Sequence, residues 1–554
     1  MPTLAPELSA VEALALRLEA VAKLLLPIYV MPTGTATPDP AARAIDTLLA
    51  LAESLIHTKN NAKLWLLLVA IYGRYPTEAE FLRHKRSGKM QGRDAWASDL
   101  LECAQRIPGA LIQNRTDVVT DKPVVDVTSA ASFAIFPDGT FGLHQTGIQR
   151  VVRNVVPRWA AEHDFVLARW DHGFDDALCT ISPEEHNRLF RPKDRVVLES
   201  AIEDSYYPRL VIPFNTTVVL PDVPPNPNQA EVLRCLARFS GNIVSIIGYD
   251  FIPLLSPEFR HPAEGEVSAA FFSAIKYTDR VATISKGVSA EFAGLVAALP
   301  TQGLVGPVVR AIPIPNVGAV VGYTSLVELP PVVELPPVVE LVETTTSSGA
   351  GGTSASDEHQ KERRPVVLLP GTRDQHKNGR SVLHAAHRLW DEGLDFELRQ
   401  MGREGWDADF GQTIFDTELE KIADAGYPLT VLGMVDEQQL WDEYRNADVT
   451  TFVSLHEGYG LPIIESLSVG TPVITTNYGS QGEIASEGGC LMVDPRDDDQ
   501  ITDALRKFLS DQALRTELHQ GAQSRALRTW EQYAKDTWDF LVKGDLTIGE
   551  EPAI

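Results

Sequence analysis

Cysteine, basic residues and long apolar runs are all scarce in this chain of 554 residues. The four cysteines, Cys103, Cys179, Cys235 and Cys490, form no C-x-x-C pair and no metal-ligand spacing. This scatter argues against a disulfide framework and against a cysteine-ligated metal. We therefore expect reduced thiols in a cytoplasmic protein.

Basic residues are outnumbered, since 49 lysines and arginines face 75 aspartates and glutamates and the formal net charge is −26. A nucleic-acid-binding face needs clustered basic side chains that neutralise phosphates. We therefore expect no nucleic-acid partner. Peripheral contact with the inner membrane face through a local basic patch stays open as an alternative.

No apolar run reaches the roughly 20 residues that a membrane-spanning helix needs. The stretch Leu14–Val30 is interrupted by Arg17, Glu19 and Lys23, and Leu64–Ile71 is far shorter. A signal peptide is not indicated either. The sequence therefore predicts a soluble protein.

Hydrophobic periodicity divides the chain into segments of different type, as expected for a chain too long for one core. Residues 1–115 carry apolar positions at three- and four-residue spacing, which predicts a helical N-terminal extension. Across 120–322, short β-type runs alternate with helical stretches, which predicts a mostly parallel sheet covered on both faces. The predicted strands are 124–127, 165–170, 196–198, 217–220, 243–248 and 280–284.

A segment of unusual composition lies at 323–363. The hexapeptide Val-Glu-Leu-Pro-Pro-Val occurs twice in succession from residue 327, and a Thr/Ser/Gly-rich tract follows. Repeated prolines forbid a regular helix or a central strand, and this composition cannot bury a core. We predict a disordered insertion near the hinge between two domains.

The alternation of strands and helices returns after Arg364 and predicts a Rossmann-like doubly wound domain over 364–525. A late helical stretch, 526–545, follows the last strand. The predicted strands are 366–369, 396–401, 430–432, 449–452, 472–475 and 491–493.

The ten residues from His456 to Glu465 follow one of these strands and open a helix. Glycines in the string allow a tight turn and a close approach of a ligand to the backbone. At the first helical positions, free N–H groups and the helix dipole favour an anion such as a diphosphate. Glu457 and Glu465 can face the same crevice and accept hydrogen bonds from sugar and ribose hydroxyls.

This string, continued by Gly470–Ile474, closely resembles the E-x7-E signature of family-4 glycosyltransferases, which are retaining enzymes of GT-B fold. The resemblance implies that Glu457 contacts the donor sugar and that Glu465 contacts the nucleotide ribose. It also implies that the late helix crosses back to the first domain. The backbone implied to hold the diphosphate is that of Tyr459, Gly460, Leu461 and Pro462.

A second match is the loop Pro370–Asn378, directly after the first strand of the C-terminal domain. A departing nucleoside diphosphate gains negative charge, which a fixed cation stabilises. Lys377, with Arg373 or His376, can supply that cation without a metal. Relatives often carry Arg where this chain has His376, and a solvated surface loop is the alternative interpretation.

A third match is the segment Gln145–Arg153, in which Gly147 opens an amphipathic helix and Arg150 lies on its polar face. At the start of the helix, Gly147 can bring the backbone against a phosphate or an acceptor, and the segment resembles the first loop and helix of the same family. Arg150 is either an acceptor contact or an ordinary salt-bridge residue.

Further matches concern the acceptor side and the donor side of the cleft. Tyr249 and Ser285 follow strands of the first domain and resemble segments near the acceptor, while Asp250 is a candidate acceptor contact or base. Many relatives have His where this chain has Tyr249, and helix capping is the structural alternative for Asp250 and Ser285. The family's base-binding loop corresponds to Gly433, Met434 and Val435.

Together these matches imply an α/β protein of GT-B architecture, with two Rossmann-like doubly wound domains facing a cleft. The implied reaction moves a hexose such as mannose from a nucleoside-diphosphate sugar to a glycan or lipid-linked acceptor in polysaccharide or cell-envelope synthesis. The resemblance implies retention of configuration, no metal, no other cofactor and no protein nucleophile. A sugar-nucleotide epimerase, a phosphorylase and a non-catalytic glycan-assembly scaffold are the alternatives on the same fold.

Overall fold

The computed structural model describes residues 10–26, 39–106, 118–131, 133–135, 141–143, 147–170, 177–190, 208–223, 226–315, 363–405, 413–526 and 528–552. The predicted insertion at 323–363 lies outside these residues apart from Arg363, and so does the predicted strand at 196–198. None of the described helices is long and apolar enough to cross a bilayer.

Five helices open the described chain and pack together. α3 is apolar on all sides and is buried from Leu64 to Tyr72, so it forms the centre of this helical unit. Asn60 caps α3, and a capping box of Thr77 and Glu80 starts α4. The helices are α1 (Ala10–Leu25), α2 (Pro40–Leu55), α3 (Asn61–Tyr72), α4 (Glu78–Met90) and α5 (Arg93–Arg106).

The next part of the chain builds the first sheet. Its strands and the short strands around it are β1 (Val118–Thr120), β2 (Val124–Asp126), β3 (Phe133–Ile135), β4 (Phe141–Leu143), β5 (Val166–Trp170), β6 (Leu178–Thr180), β7 (Val211–Pro213), β8 (Thr217–Leu220), β9 (Ile243–Gly248), β10 (Arg280–Thr283) and β11 (Val308–Ala311). Its helices are α6 (Thr128–Ala131), α7 (Gly147–Glu162), α8 (Pro183–Phe190), α9 (Pro227–Phe239), α10 (Ile252–Leu255), α11 (Pro262–Ile275) and α12 (Lys286–Ala298).

Seven of these strands form one sheet in the order β11-β10-β9-β8-β2-β5-β6. Every neighbouring pair is parallel except β5 and β6, which are antiparallel. β1 pairs with β7, and β3 pairs with β4, outside this sheet. β2 and β8 are buried on both faces, which explains the consecutive valines in each strand.

The helical unit shares one continuous hydrophobic core with the first sheet. Phe81 of α4 stacks on Phe239 of α9 with ring centroids 4.1 Å apart. The hydroxyl of Tyr75 donates a hydrogen bond of 2.8 Å to the carbonyl of Val211 in β7. These contacts bury large side chains of both units, so the helices support the first sheet directly.

The second sheet is built from the C-terminal part of the chain. Its strands are β12 (Val366–Pro370), β13 (Glu397–Met401), β14 (Leu429–Gly433), β15 (Val449–Phe452), β16 (Val473–Thr476) and β17 (Cys490–Val493). Their order is β14-β13-β12-β15-β16-β17, with all pairs parallel. The helices are α13 (Gly379–Asp391), α14 (Ile414–Asp424), α15 (Glu437–Asn446), α16 (Leu461–Ser468), α17 (Gly479–Ala485), α18 (Asp498–Ser510) and α19 (Gln512–Gln523).

The last helix, α20 (Trp530–Trp538), continues into a π-helical turn at Asp539–Lys543 and packs on the first domain. The indole N–H of Trp159 donates to the carbonyl of Ala534 at 2.7 Å. Two doubly wound sheets joined by a returning helix form the GT-B architecture, which confirms the expected fold class.

The longer predicted strands agree with the structure, and β8, β9 and β15 have the predicted bounds. By contrast, β1, β3, β4, β6, β7 and β11 have no counterpart among the predicted strands. Three or four residues are too few to show a period of two, so strands this short can be recognised only where a short apolar run stands between clear turn signals.

Candidate functional site

Each sheet has a crevice at the carboxyl ends of its strands, at the point where the strand order reverses. In the second sheet this point lies between β12 and β15, because β13 continues on the other side of β12. In the first sheet it lies between β2 and β8. Ligands of doubly wound folds bind at such points. The loops 371–378 and 453–460 follow β12 and β15 and contain six of the predicted site residues, namely Arg373, His376, Lys377, Glu457, Tyr459 and Gly460.

The loop after β15 turns sharply into α16. Gly460 has φ 102°, a conformation that a residue with a Cβ rarely adopts. Pro462 lies in the first helical turn, where a backbone N–H has no acceptor within the helix, so proline loses no hydrogen bond there. Gly147, the first residue of α7, lies opposite this turn, since a Cβ added there would stand 3.3 Å from Cδ1 of Leu461. The backbone of both domains therefore approaches the N-terminus of α16, where an anion is favoured.

Glu465 is nearly buried, with an exposed fraction of 5%. The hydroxyl of Tyr444 donates to its Oε2 at 2.9 Å, and Nη1 of Arg150 forms an ion pair with its Oε1. Burial and the neighbouring carboxylate raise the pKa of Tyr444 well above its ordinary value, so the phenol stays a donor. Arg150, a predicted acceptor contact, thus reaches across the cleft to the predicted ribose-binding carboxylate.

Lys377 and Glu457 form an ion pair between the two loops, with Nζ 2.5 Å from Oε1. Burial acts to raise the pKa of Glu457, but the charge of Lys377, with smaller contributions from His376 and from the hydrogen bonds of Lys377 and Ser454, outweighs it, and the pKa is lowered. The carboxylate is therefore ionised at neutral pH. A fixed cation and a fixed anion stand side by side at the crevice.

His376 and Arg373 flank Lys377 in sequence but have different surroundings. His376 is buried, and burial together with Lys377 lowers its pKa to about 4, so the ring is neutral near pH 7. Arg373 pairs with Asp416 of α14 at 2.6 Å and also contacts Gln400. Lys377 is accordingly the cation of this loop that pairs with Glu457.

Tyr459 and the loop after β14 complete the predicted donor side. The Tyr459 hydroxyl donates to the carbonyl of Ile314 at 2.6 Å, which ties this turn to the first domain. Gly433 ends β14 with φ 64°, Met434 is exposed, and Val435 packs against the sheet. An exposed apolar side chain at this edge offers a surface for a flat base.

Besides Arg150, three predicted acceptor-side residues of the first domain differ in accessibility. Tyr249 is buried, and its hydroxyl donates to the carbonyl of Pro221 at 2.8 Å. Ser285 caps α12 and also donates to the carbonyl of Gly458 at 2.8 Å. Asp250 lies against Gly458, where an added Cβ would collide with its carboxylate. Ser285 and Asp250 therefore both contact the Glu457 turn, and Asp250 does so with its carboxylate.

Burial, Glu291 and Glu457 raise the pKa of Asp250. A carboxyl group whose pKa is raised toward neutrality is better suited to accept a proton than an ordinary surface aspartate.

Sequence reasoning did not single out Tyr444 or Glu291. Tyr444 orients Glu465 from α15, and Glu291 of α12 contacts His456, the residue before Glu457. Neither residue lies in a motif, and each contact depends on how separate elements pack, so no local signal points to them.

Among the residues that the structure describes, no group of three or more His, Cys, Asp or Glu side chains is arranged to hold a metal ion. Lys377 and the N-terminus of α16 both bring positive charge to the described crevice.

Residues 353–525 match the family model described as Glycosyl transferases group 1. O-antigen chain mannosyltransferase B of Escherichia coli is 31% identical over 150 residues, which are 27% of this chain and 38% of that protein. A D-inositol 3-phosphate glycosyltransferase of Corynebacterium urealyticum is 36% identical over 100 residues, or 18% of this chain and 24% of that protein. The chain thus covers less than half the length of these two relatives.

Two solved structures are similar over a larger part of the chain. Sucrose-phosphate synthase from Thermosynechococcus elongatus has 15% identity and a TM-score of 0.47, covering 76% of this chain and 98% of that one. HepE of Anabaena, solved with UDP and glucose, has 11% identity and a TM-score of 0.43, covering 73% and 94%. The family match, together with the two facing sheets described above, supports a glycosyltransferase of GT-B architecture.

Proposed function

We propose that this protein is a retaining hexosyltransferase that uses a nucleoside-diphosphate sugar and a glycan or lipid-linked acceptor in polysaccharide synthesis. The observation that carries the proposal is the Lys377–Glu457 ion pair beside the N-terminus of α16, with Glu465 held four residues into that helix. Mannose is the proposed sugar, because the similar Escherichia coli protein is named an O-antigen chain mannosyltransferase.

Each group has one proposed role in the reaction. Glu465, fixed by Tyr444 and Arg150, accepts hydrogen bonds from the ribose hydroxyls. The backbone of Gly460 and Leu461 receives the diphosphate at the start of α16. Lys377 stabilises the charge that develops on the departing diphosphate, and Glu457 accepts a hydrogen bond from a sugar hydroxyl.

The acceptor enters from the first domain in this proposal. The carboxylate of Asp250 lies on that side against Gly458, and its raised pKa suits it to receive a proton or to bind an acceptor hydroxyl. Lys377 and the helix dipole supply the positive charge that the diphosphate needs, so the proposal includes no metal and no further cofactor.

The first test is a panel of nucleoside-diphosphate sugars added to the full chain. We expect one donor to raise the melting temperature, because saturation at 100 times Kd stabilises the folded state by about 2.7 kcal/mol. Glu465→Gln should lower the affinity for that donor, measured by titration calorimetry. Glu517→Gln, at an exposed position on α19, should bind the donor like the wild type. Equal donor binding by Glu465→Gln and the wild type would contradict the site assignment.

The second test is sugar transfer itself. With the donor identified, Lys377→Met should lower kcat by about 100- to 1,000-fold, as removal of a transition-state charge partner does elsewhere. Lys507→Met, exposed on α18, is the matched control. The anomeric configuration of the product, read by NMR, decides retention. Epimerised sugar nucleotide formed without acceptor would instead indicate an epimerase, and phosphate-dependent cleavage of a glycan would indicate a phosphorylase.

A further inference from the structure

The carboxylate of Glu291 contacts two turns of the cleft, the one that contains Asp250 and the one that contains Glu457. Its Oε2 accepts a hydrogen bond of 2.8 Å from the backbone N–H of Phe251, directly after Asp250. Its Oε1 lies 2.8 Å from Nε2 of His456, directly before Glu457. The side chain of Glu291 is 13% exposed, so water competes little with these contacts.

The imidazole of His456 is held on both of its nitrogens. Nε2 meets Glu291, and Nδ1 lies 3.0 Å from the hydroxyl of Ser256, which follows α10 in the first domain. His456 belongs to the second domain, so both partners reach it from across the cleft. A ring held from two sides has one orientation, which fixes the backbone that leads into Glu457.

The charges around His456 favour its protonated form. The acidic groups that act on the ring are Glu291 on α12, Asp250 after β9 and Glu457 on the same turn. Burial acts to lower the pKa of His456, but these carboxylates outweigh it and the pKa is raised. The imidazolium in turn screens three acidic side chains that would otherwise repel one another across the cleft.

We propose that Glu291, acting through His456, is a positioning residue that holds the Asp250 turn and the Glu457 turn in register for sugar transfer. This inference rests on the function proposed above. It assigns no chemical step to Glu291, because the carboxylate is already occupied by Phe251 and His456. It predicts that kcat depends on the contact between Glu291 and His456, while binding of a nucleoside diphosphate at Glu465 and α16 does not.

The test compares Glu291→Gln, His456→Gln and the double variant with the wild-type full chain. Glu291→Gln should lower kcat by about 100-fold, the scale on which a small misplacement of reacting groups acts. The Kd for UDP or GDP, whichever the wild type binds, should change by less than about twofold. The double variant should be no slower than either single variant. Glu266→Gln, exposed on α11, is the control.

A kcat of Glu291→Gln equal to that of the wild type would overturn the inference. An equal loss of kcat and of nucleotide affinity would overturn it too, because that pattern indicates general damage to the fold. In the wild type, kcat plotted against pH should fall at high pH as His456 loses its proton. This decrease should be missing in His456→Gln.

NMR titration of isotope-labelled histidine separates this inference from the proposed function. The resonance of His456, assigned by its loss in His456→Gln, should show a lower pKa in Glu291→Gln than in the wild type. An unchanged pKa would overturn the pairing whether or not the enzyme is active. A lowered pKa in a chain that transfers no sugar from any donor would refute the proposed function and still support the pairing.

Discussion

At the scale of single residues, the same carboxyl group behaves differently according to its neighbours. Lys377 keeps Glu457 ionised, whereas Asp126 at the end of β2 is 1% exposed and has its pKa raised to about 7 by burial and by Asp222. Asp222 follows β8, the neighbour of β2, so the two acids stand at the strand-order reversal of the first sheet. Buried like charges at one crevice share protons rather than ionise independently.

This pair predicts a pH dependence of stability. Because the folded-state pKa of Asp126 is raised above the unfolded value of 3.8, the native state binds the proton more tightly between about pH 4 and pH 7. The free energy of unfolding contributed by this group is therefore greatest at low pH and declines as pH rises through 7. Asp222→Asn removes the like charge but leaves the hydrogen bonds that Asp126 accepts from Thr128 and Trp170.

We expect Asp222→Asn to gain stability relative to the wild type as pH rises from 5 to 8, by about 1–2 kcal/mol. Urea denaturation at a series of pH values measures the difference between the two proteins. Asp121→Asn, at an exposed position before β2, should follow the wild type throughout. A difference between Asp222→Asn and the wild type that stays constant with pH would show that the two acids are not coupled.

At the scale of elements, the turn between β15 and α16 joins the two domains. Ser285 donates to the carbonyl of Gly458, Tyr459 donates to the carbonyl of Ile314, and Gly458 itself lies against Asp250. Gly458 can approach the other domain this closely because it has no side chain. The same glycines that suit a phosphate therefore also set the spacing between the domains.

Gly458→Ala tests that spacing. The φ of Gly458 is not positive, so alanine is tolerated by the backbone, but its Cβ would collide with the Asp250 carboxylate. We expect kcat to fall at least about 10-fold through misplacement of the two turns, with the affinity for nucleoside diphosphate nearly kept. Gly294→Ala on α12 has open space around the added Cβ and should keep wild-type kcat. Full activity of Gly458→Ala would exclude close contact between these turns during turnover.

At the scale of the whole molecule, the helical unit and the last helix both stabilise the first sheet. Phe81 and Tyr75 dock the helical unit on α9 and β7, and Trp159 holds α20 at the other side. The first sheet is thus covered by segments that come before it and after it in the chain. Its stability depends on both.

We expect Phe81→Ala to lower the free energy of unfolding by about 3–5 kcal/mol, because it empties a fully buried site between α4 and α9. Hydrogen exchange followed by mass spectrometry should show faster exchange in β7 and α9 as well as in α4, and unchanged exchange in β12–β17. Met90→Ala, at a position 86% exposed, is the control and should match the wild type. Faster exchange confined to α1–α5 would mean that the helical unit is energetically independent.

The sequence by itself determined most of the regular elements, because the period of apolar residues and the placing of glycine and proline act over a few neighbours. It also brought together Glu457, Gly460 and Glu465, since one strand, one turn and one helix carry them all. The Rossmann-like alternation over 364–525 was readable for the same reason.

Only the tertiary structure decided the partners of those residues. Arg150 meets Glu465 across 315 positions of the chain, and Glu291 meets His456 across 165. Such pairs depend on how two sheets dock, and the protonation of Asp126 depends on its burial, neither of which a local pattern records. The type of a side chain and the local backbone conformation depend on neighbouring residues, whereas side-chain contacts and the dielectric environment arise only when distant segments are brought together.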